Sequence, residues 1–151
     1  MTAEALFGRT APDFSLSNQY GETVSLSALR GTPVFLVFFP FAFSPVCGEE
    51  LAVLQEHLEE FVAARLLAIS ADSRYVLKSY AEQQGLSFDL LSDFWPHGDV
   101  ARQFQALDER RGVPERHTVL IDERGVVAAQ FGAAASQPRS WEEYRGLLDA
   151  L

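Results

Sequence analysis

With 151 residues, 48% of them apolar and 22% charged, the chain has the size and composition of one globular domain spanning positions 1–151. It shows neither a low-complexity tract nor the apolar-poor signature of disorder. The formal net charge of -9 opposes binding to nucleic acid or an anionic membrane, because phosphate binding requires clustered Lys and Arg. One cysteine excludes an intramolecular disulfide and any Cys/His cluster suited to structural zinc, so no metal or cofactor is expected.

The N-terminus "MTAEALFGRTAPDF" lacks a basic region followed by an apolar core, and no segment approaches the ~20 apolar residues of a membrane span. The expected location is the cytosol. In "DFSLSNQYGETVSL" a polar turn at Asn18 to Gly21 separates two short strands, an N-terminal β-hairpin. After a Gly31 to Pro33 breaker, "VFLVFF" is a continuous apolar run, as in a strand covered on both faces. Beyond Cys47, the residues Leu51, Leu54, Leu58 and Phe61 form one helical stripe.

"LLAISAD" reads as a further buried strand. Ser73 to Gln84 reads as a helix closed by Gly85, with Tyr75, Leu77, Tyr80 and Ala81 facing inward. "FDLLSD" is a strand leading into the loop "FWPHG", after which Asp99 caps a helix over Val100 to Gln105. A loop holding "RRGVPER" follows. "HTVLID" and "VVAAQF" flank "ERG" as a hairpin, and Trp141, Tyr144, Leu148 and Leu151 share one face of a terminal helix. This α/β order predicts a thioredoxin-like fold, a mixed central sheet flanked by helices.

Cys47 falls where a reactive sulfur is favoured. Ser44 suits the N-cap, Pro45 the first helical position, and Cys47 the third position of the first turn, beside free backbone N–H groups. Those donors and the helix dipole stabilise an anion, but only by ~0.3 to 1 kcal/mol. A cation must help. Arg116, just before the "HTVLID" strand, is the candidate, since a guanidinium can hydrogen-bond both sulfur and a substrate oxygen. Ionisation alone cannot supply a large catalytic factor, so the rest must come from stabilising charge as it moves from sulfur onto a departing oxygen.

On the residues alone, three readings of Cys47 stay open. The first is this nucleophile. The second is a Cys-His hydrolase using His97 or His117 as base. The third is a non-catalytic thioredoxin-like binding module with an inert, buried cysteine. His57 is expected to face solvent. Glu50, three residues after Cys47, either orients Arg116 or is a solvated acid favoured by the dipole.

Pro40, Ser44 and Cys47 in "PFAFSPVC" resemble the active-site motif of the peroxiredoxins: proline, three residues, threonine or serine, two residues, cysteine. "APDFSL", "LRGTPVFLVFFP", "LLSDFWPHG" and "RHTVLID" fall in that family's order, so the resemblance covers nearly the whole chain. "SDFWPHG" and the lone cysteine are most similar to the one-cysteine alkyl hydroperoxide reductase E group. The resemblance implies a thiol peroxidase whose Cys47 thiolate attacks the peroxide and becomes a sulfenic acid. Ser44 then hydrogen-bonds the peroxide, Pro40 shields the sulfur, Arg116 stabilises thiolate and transition state, and the N–H groups of Val46 and Cys47 complete the donors. Glu50 and Trp95 are placed beside the substrate. Serine where threonine is commoner keeps the hydroxyl. The implied partners are a hydroperoxide, an external thiol (mycothiol or glutathione with a glutaredoxin-like protein, or a thioredoxin) and a second copy in a homodimer. Phe41, Phe43, Phe94, Trp95 and Pro96 are the apolar patch expected to form it.

Overall fold

A computed structural model describes residues 6–151; the first five positions of the N-terminal stretch lie outside the described residues. The apolar run after Gly31 forms β3 (Val34–Phe38), buried at every position. It pairs in parallel with β4 (Arg65–Ser70), and β4 in parallel with β5 (Asp89–Ser92). On its other side β3 runs antiparallel to β8 (Arg116–Ile121), which forms the expected hairpin with β9 (Val127–Ala133). The N-terminal hairpin, β1 (Ser15–Asn18) and β2 (Thr23–Ser25), joins at β5. The sheet order is β2-β1-β5-β4-β3-β8-β9, a thioredoxin-like mixed sheet.

Period-two alternation sends the side chains of β3 to opposite faces. Phe35 and Val37 meet α1 (Pro45–Glu56), α2 (Arg74–Gln84) and α4 (Trp141–Asp149) through Leu51, Leu54, Leu77, Tyr80 and Tyr144. Val34, Leu36 and Phe38 meet Leu26, Val100, Ala101 and Phe104 around the short α3 (Asp99–Gln103). Helices therefore cover both faces. Among the described residues no helix is long and apolar enough to cross a membrane.

Several elements differ from the sequence expectation. The apolar stripe after Cys47 is broken at His57, which leaves helical geometry, and Leu58–Phe61 forms a separate 3-10 turn that still buries Phe61. In α2, Gly85 closes the helix in the left-handed conformation as expected. Tyr75, however, is 69% exposed, because it lies about 200° around the helix from Leu77. Asp99 is the first residue of α3 rather than its cap; the carboxylate of Asp93 instead accepts the N–H groups of Val100 and Ala101. The loop around "RRGVPER" contains a small ribbon, β6 (Leu107–Asp108) against β7 (Val113–Pro114). Leu151 lies past the end of α4 and is exposed.

Candidate active site

The parallel strands β3, β4 and β5 all end at one edge of the sheet, and the antiparallel β8 begins there. Phe38 pairs with His117, so Arg116, one residue earlier, stands beside the loop leaving β3. That register brings together groups 69 positions apart in sequence.

The loop is fixed before the helix starts. The Ala42 N–H donates to Asp72 Oδ2 at 2.9 Å, and the same oxygen accepts from the Ser70 hydroxyl at 2.7 Å, tying the loop to the end of β4. Phe43 takes a positive φ of 69°, an uncommon conformation for a residue with a Cβ, and its ring packs on Tyr80 with centroids 4.9 Å apart. Ser44 is then the N-cap of α1, accepting from the Cys47 N–H at 3.3 Å, and Pro45 opens the helix. Val46, at the second helical position, has an N–H with no acceptor within the helix.

Cys47 is free and fully buried. Its sulfur accepts from Arg116 Nη1 at 3.3 Å, and the same nitrogen donates to Glu50 Oε1 at 2.6 Å. Arg116 Nε donates to the Ala135 carbonyl at 2.9 Å. Glu50 is buried, which removes the reading of it as a solvated acid. It also accepts the Arg139 backbone N–H (2.6 Å), Nε (2.8 Å) and Nη2 (3.0 Å). Arg139 continues through Nη1 to Thr118 Oγ1 at 3.1 Å, itself 2.8 Å from the Tyr144 hydroxyl. Burial pushes the Glu50 carboxyl up, but the hydrogen bonds and charge of Arg139, with the charge of Arg116, hold it below its ordinary value.

Two guanidiniums and one carboxylate, all buried, leave one positive charge unmatched. The Cys47 sulfur faces that charge through Arg116 Nη1, and buried charges are tolerated when paired and hydrogen-bonded, as both arginines are with Glu50.

Pro40 and Arg116 line a groove of about 330 Å³ together with Asp108, Arg111, His117 and residues 132–135. Trp95 is not part of it. It follows β5, two strands away from β3, and lines a separate groove with Ser15, Ser17, Ser73 and Arg74. The histidines pair elsewhere: His57 stacks on Trp141 and binds Glu60, His97 meets the Gly112 carbonyl, and His117 meets Gln130. Arg139 and its contacts escape the sequence reading; the only available signal is a buried acid at Glu50 that needs more than one cation.

The thioredoxin-like sheet and a buried thiol at a helix N-terminus, held by arginine, define a class of thiol redox proteins. The AhpC/TSA family model matches residues 7–130. Alkyl hydroperoxide reductase E of Mycobacterium tuberculosis is 42% identical over 147 residues, covering 95% of this chain and 94% of that protein. The chloroplastic peroxiredoxin Q of Sedum lineare is 31% identical, covering 99% of this chain and 81% of its own. Among solved structures, AhpC of Enterococcus faecalis superposes with a TM-score of 0.89 at 28% identity, over 99% of this chain and 92% of its own. The chain belongs to the AhpC/TSA family and is a peroxiredoxin, an enzyme of the peroxidase class.

Proposed function

We propose that the chain, working as one thioredoxin-like domain, reduces hydrogen peroxide and organic hydroperoxides by a one-cysteine cycle. The observation that carries this reading is Arg116 Nη1 at 3.3 Å from the buried Cys47 sulfur. The Cys47 thiolate attacks the terminal peroxide oxygen, the O–O bond breaks, and the leaving oxygen takes a proton to depart as water or an alcohol. Cys47 becomes a sulfenic acid.

Ser44 accepts from Cys47 N–H, which leaves its own proton for the peroxide. Together with the Val46 N–H and Arg116 it surrounds the oxygens with donors while negative charge moves off sulfur. Pro40 walls the groove against water. Glu50 acts through Arg116 by fixing its orientation.

With one cysteine in the sequence, an outside thiol must reduce the sulfenic acid, releasing water and passing through a mixed disulfide. A second copy of the chain supplies only another Cys47 with the same task. Stopped-flow fluorescence and mass spectrometry test this together. Peroxide should oxidise Cys47 far faster than free cysteine, consume about one equivalent per chain without added thiol, and drift to sulfinic acid in excess. A Cys47→Ser protein should consume none. Sustained turnover by purified protein lacking any thiol would sink the one-cysteine cycle.

A further inference from the structure

Tyr80 is unexplained by the reaction so far. Its side chain is 1% exposed, yet its hydroxyl has no hydrogen-bond partner among the described residues. A phenylalanine would fill the same core space without burying an unpaired donor. A Cβ placed on Gly48 would lie 3.7 Å from Tyr80 Oη, so the oxygen rests against the first turn of α1 at the residue that follows Cys47 in the chain, and both side chains belong to the same core cluster. Burial first, then the charges of Cys47, Asp72 and Glu50, push this phenol up to about 12. It stays protonated and can only be a donor toward anions around it.

Tyr80 and Arg116 reach this region from different elements. Arg116 comes from β8, while Tyr80 belongs to α2, which packs on β5; in the sheet β5 and β8 lie on either side of the β4-β3 pair. That matters for the second half of the cycle. Displacement at sulfur is in line, so a reducing thiolate must attack opposite the S–O bond it breaks. A sulfenic oxygen left on the Arg116 side, where the groove lined by Pro40 and Arg116 lies, would stand in the way of a thiol attacking from that side.

We propose that the Tyr80 hydroxyl receives the oxygen of the Cys47 sulfenic acid, turning the S–O bond toward α2 and presenting the sulfur to the reducing thiol. This rests on the peroxidase reading above. Overall, a thiol and the sulfenic acid give a mixed disulfide and water: the thiol's sulfur bonds to Cys47 Sγ, the S–O bond breaks, and the thiol's own proton completes the water. Tyr80 keeps its proton and holds the departing oxygen by a hydrogen bond. Arg116, already bound to Glu50 and Ala135, serves the first half-reaction; Tyr80 serves the second.

Tyr80→Phe removes the hydroxyl and keeps the ring. Peroxide oxidation of the reduced protein should stay within about twofold of wild type, while reduction of the sulfenic form by 2-mercaptoethanol should slow about tenfold, the effect of one hydrogen bond. The melting temperature of the reduced Y80F protein should be unchanged or higher, because no bond is lost. Equal resolving rates in the two proteins, or equal slowing of both half-reactions, would overturn the assignment. So would a lower melting temperature, since the hydroxyl would then already have had a partner. A wild-type protein that forms no sulfenic acid overturns the peroxidase reading and this one together; a wild type that cycles beside an indifferent Y80F overturns only the role of Tyr80.

Discussion

Arg116 is held by a carboxylate and a carbonyl while touching the reacting sulfur, so its charge is oriented before substrate arrives. Preorganised donors of this kind are worth ~10²- to 10³-fold in rate. Arg116→Ala should therefore oxidise about that much more slowly, and the deficit should persist at alkaline pH, where any cysteine is ionised; full recovery there would reduce Arg116 to a device for making thiolate. Glu50 predicts a pH effect. Its folded-state pKa is held below the ordinary 4.5, so the stability it contributes is complete above that value and is lost as pH falls through the lower folded one. Glu50→Gln should flatten this acid limb in urea titrations. At neutral pH it should also destabilise the fold by about 3 kcal/mol, because Arg139 and Arg116 would stay buried with one partner fewer.

At the level of elements, local rules and distant pairings divide what the sequence reveals. The Ser-Pro start of α1, the apolar run of β3 and the left-handed Gly85 that ends α2 each obey a rule readable within a few residues, and all three stand in the structure. Arg139 could not be read this way. Its partner Glu50 lies 89 positions earlier, and nothing in "SQPRSW" distinguishes a buried guanidinium from a solvated one. The cap of α3 fails for a similar reason. Asp99 sits at the conventional spacing, but the left-handed Gly98 turns the chain so that Asp93, at the end of β5, meets the two N–H groups. Asp93→Ala should consequently cost ~0.5 to 2 kcal/mol in denaturant unfolding, within the range for a lost cap, whereas Asp99→Ala should cost little. The reverse order would show that the carboxylate of Asp93 is not what holds α3.

The whole molecule presents an unbalanced surface. Phe41, Phe43, Phe94 and Trp95 are 40%, 50%, 53% and 80% exposed, and they sit in the loops after β3 and β5, at the sheet edge that also carries Cys47. Scattered apolar residues need no explanation, but four large rings at one edge have the character of an interface. We propose that a second copy covers them in a two-fold dimer. The net charge of -9 acts against this, because two like-charged copies repel until salt screens them over roughly 8 to 10 Å. Burial of aromatic surface, by contrast, is not weakened by moderate salt. The dimer fraction in light scattering should accordingly rise with both protein concentration and ionic strength, and Trp95→Ala should lower it at every salt concentration. A protein that stays monomeric at high concentration and high salt would leave these rings as the outer cover of the core, with no role in assembly.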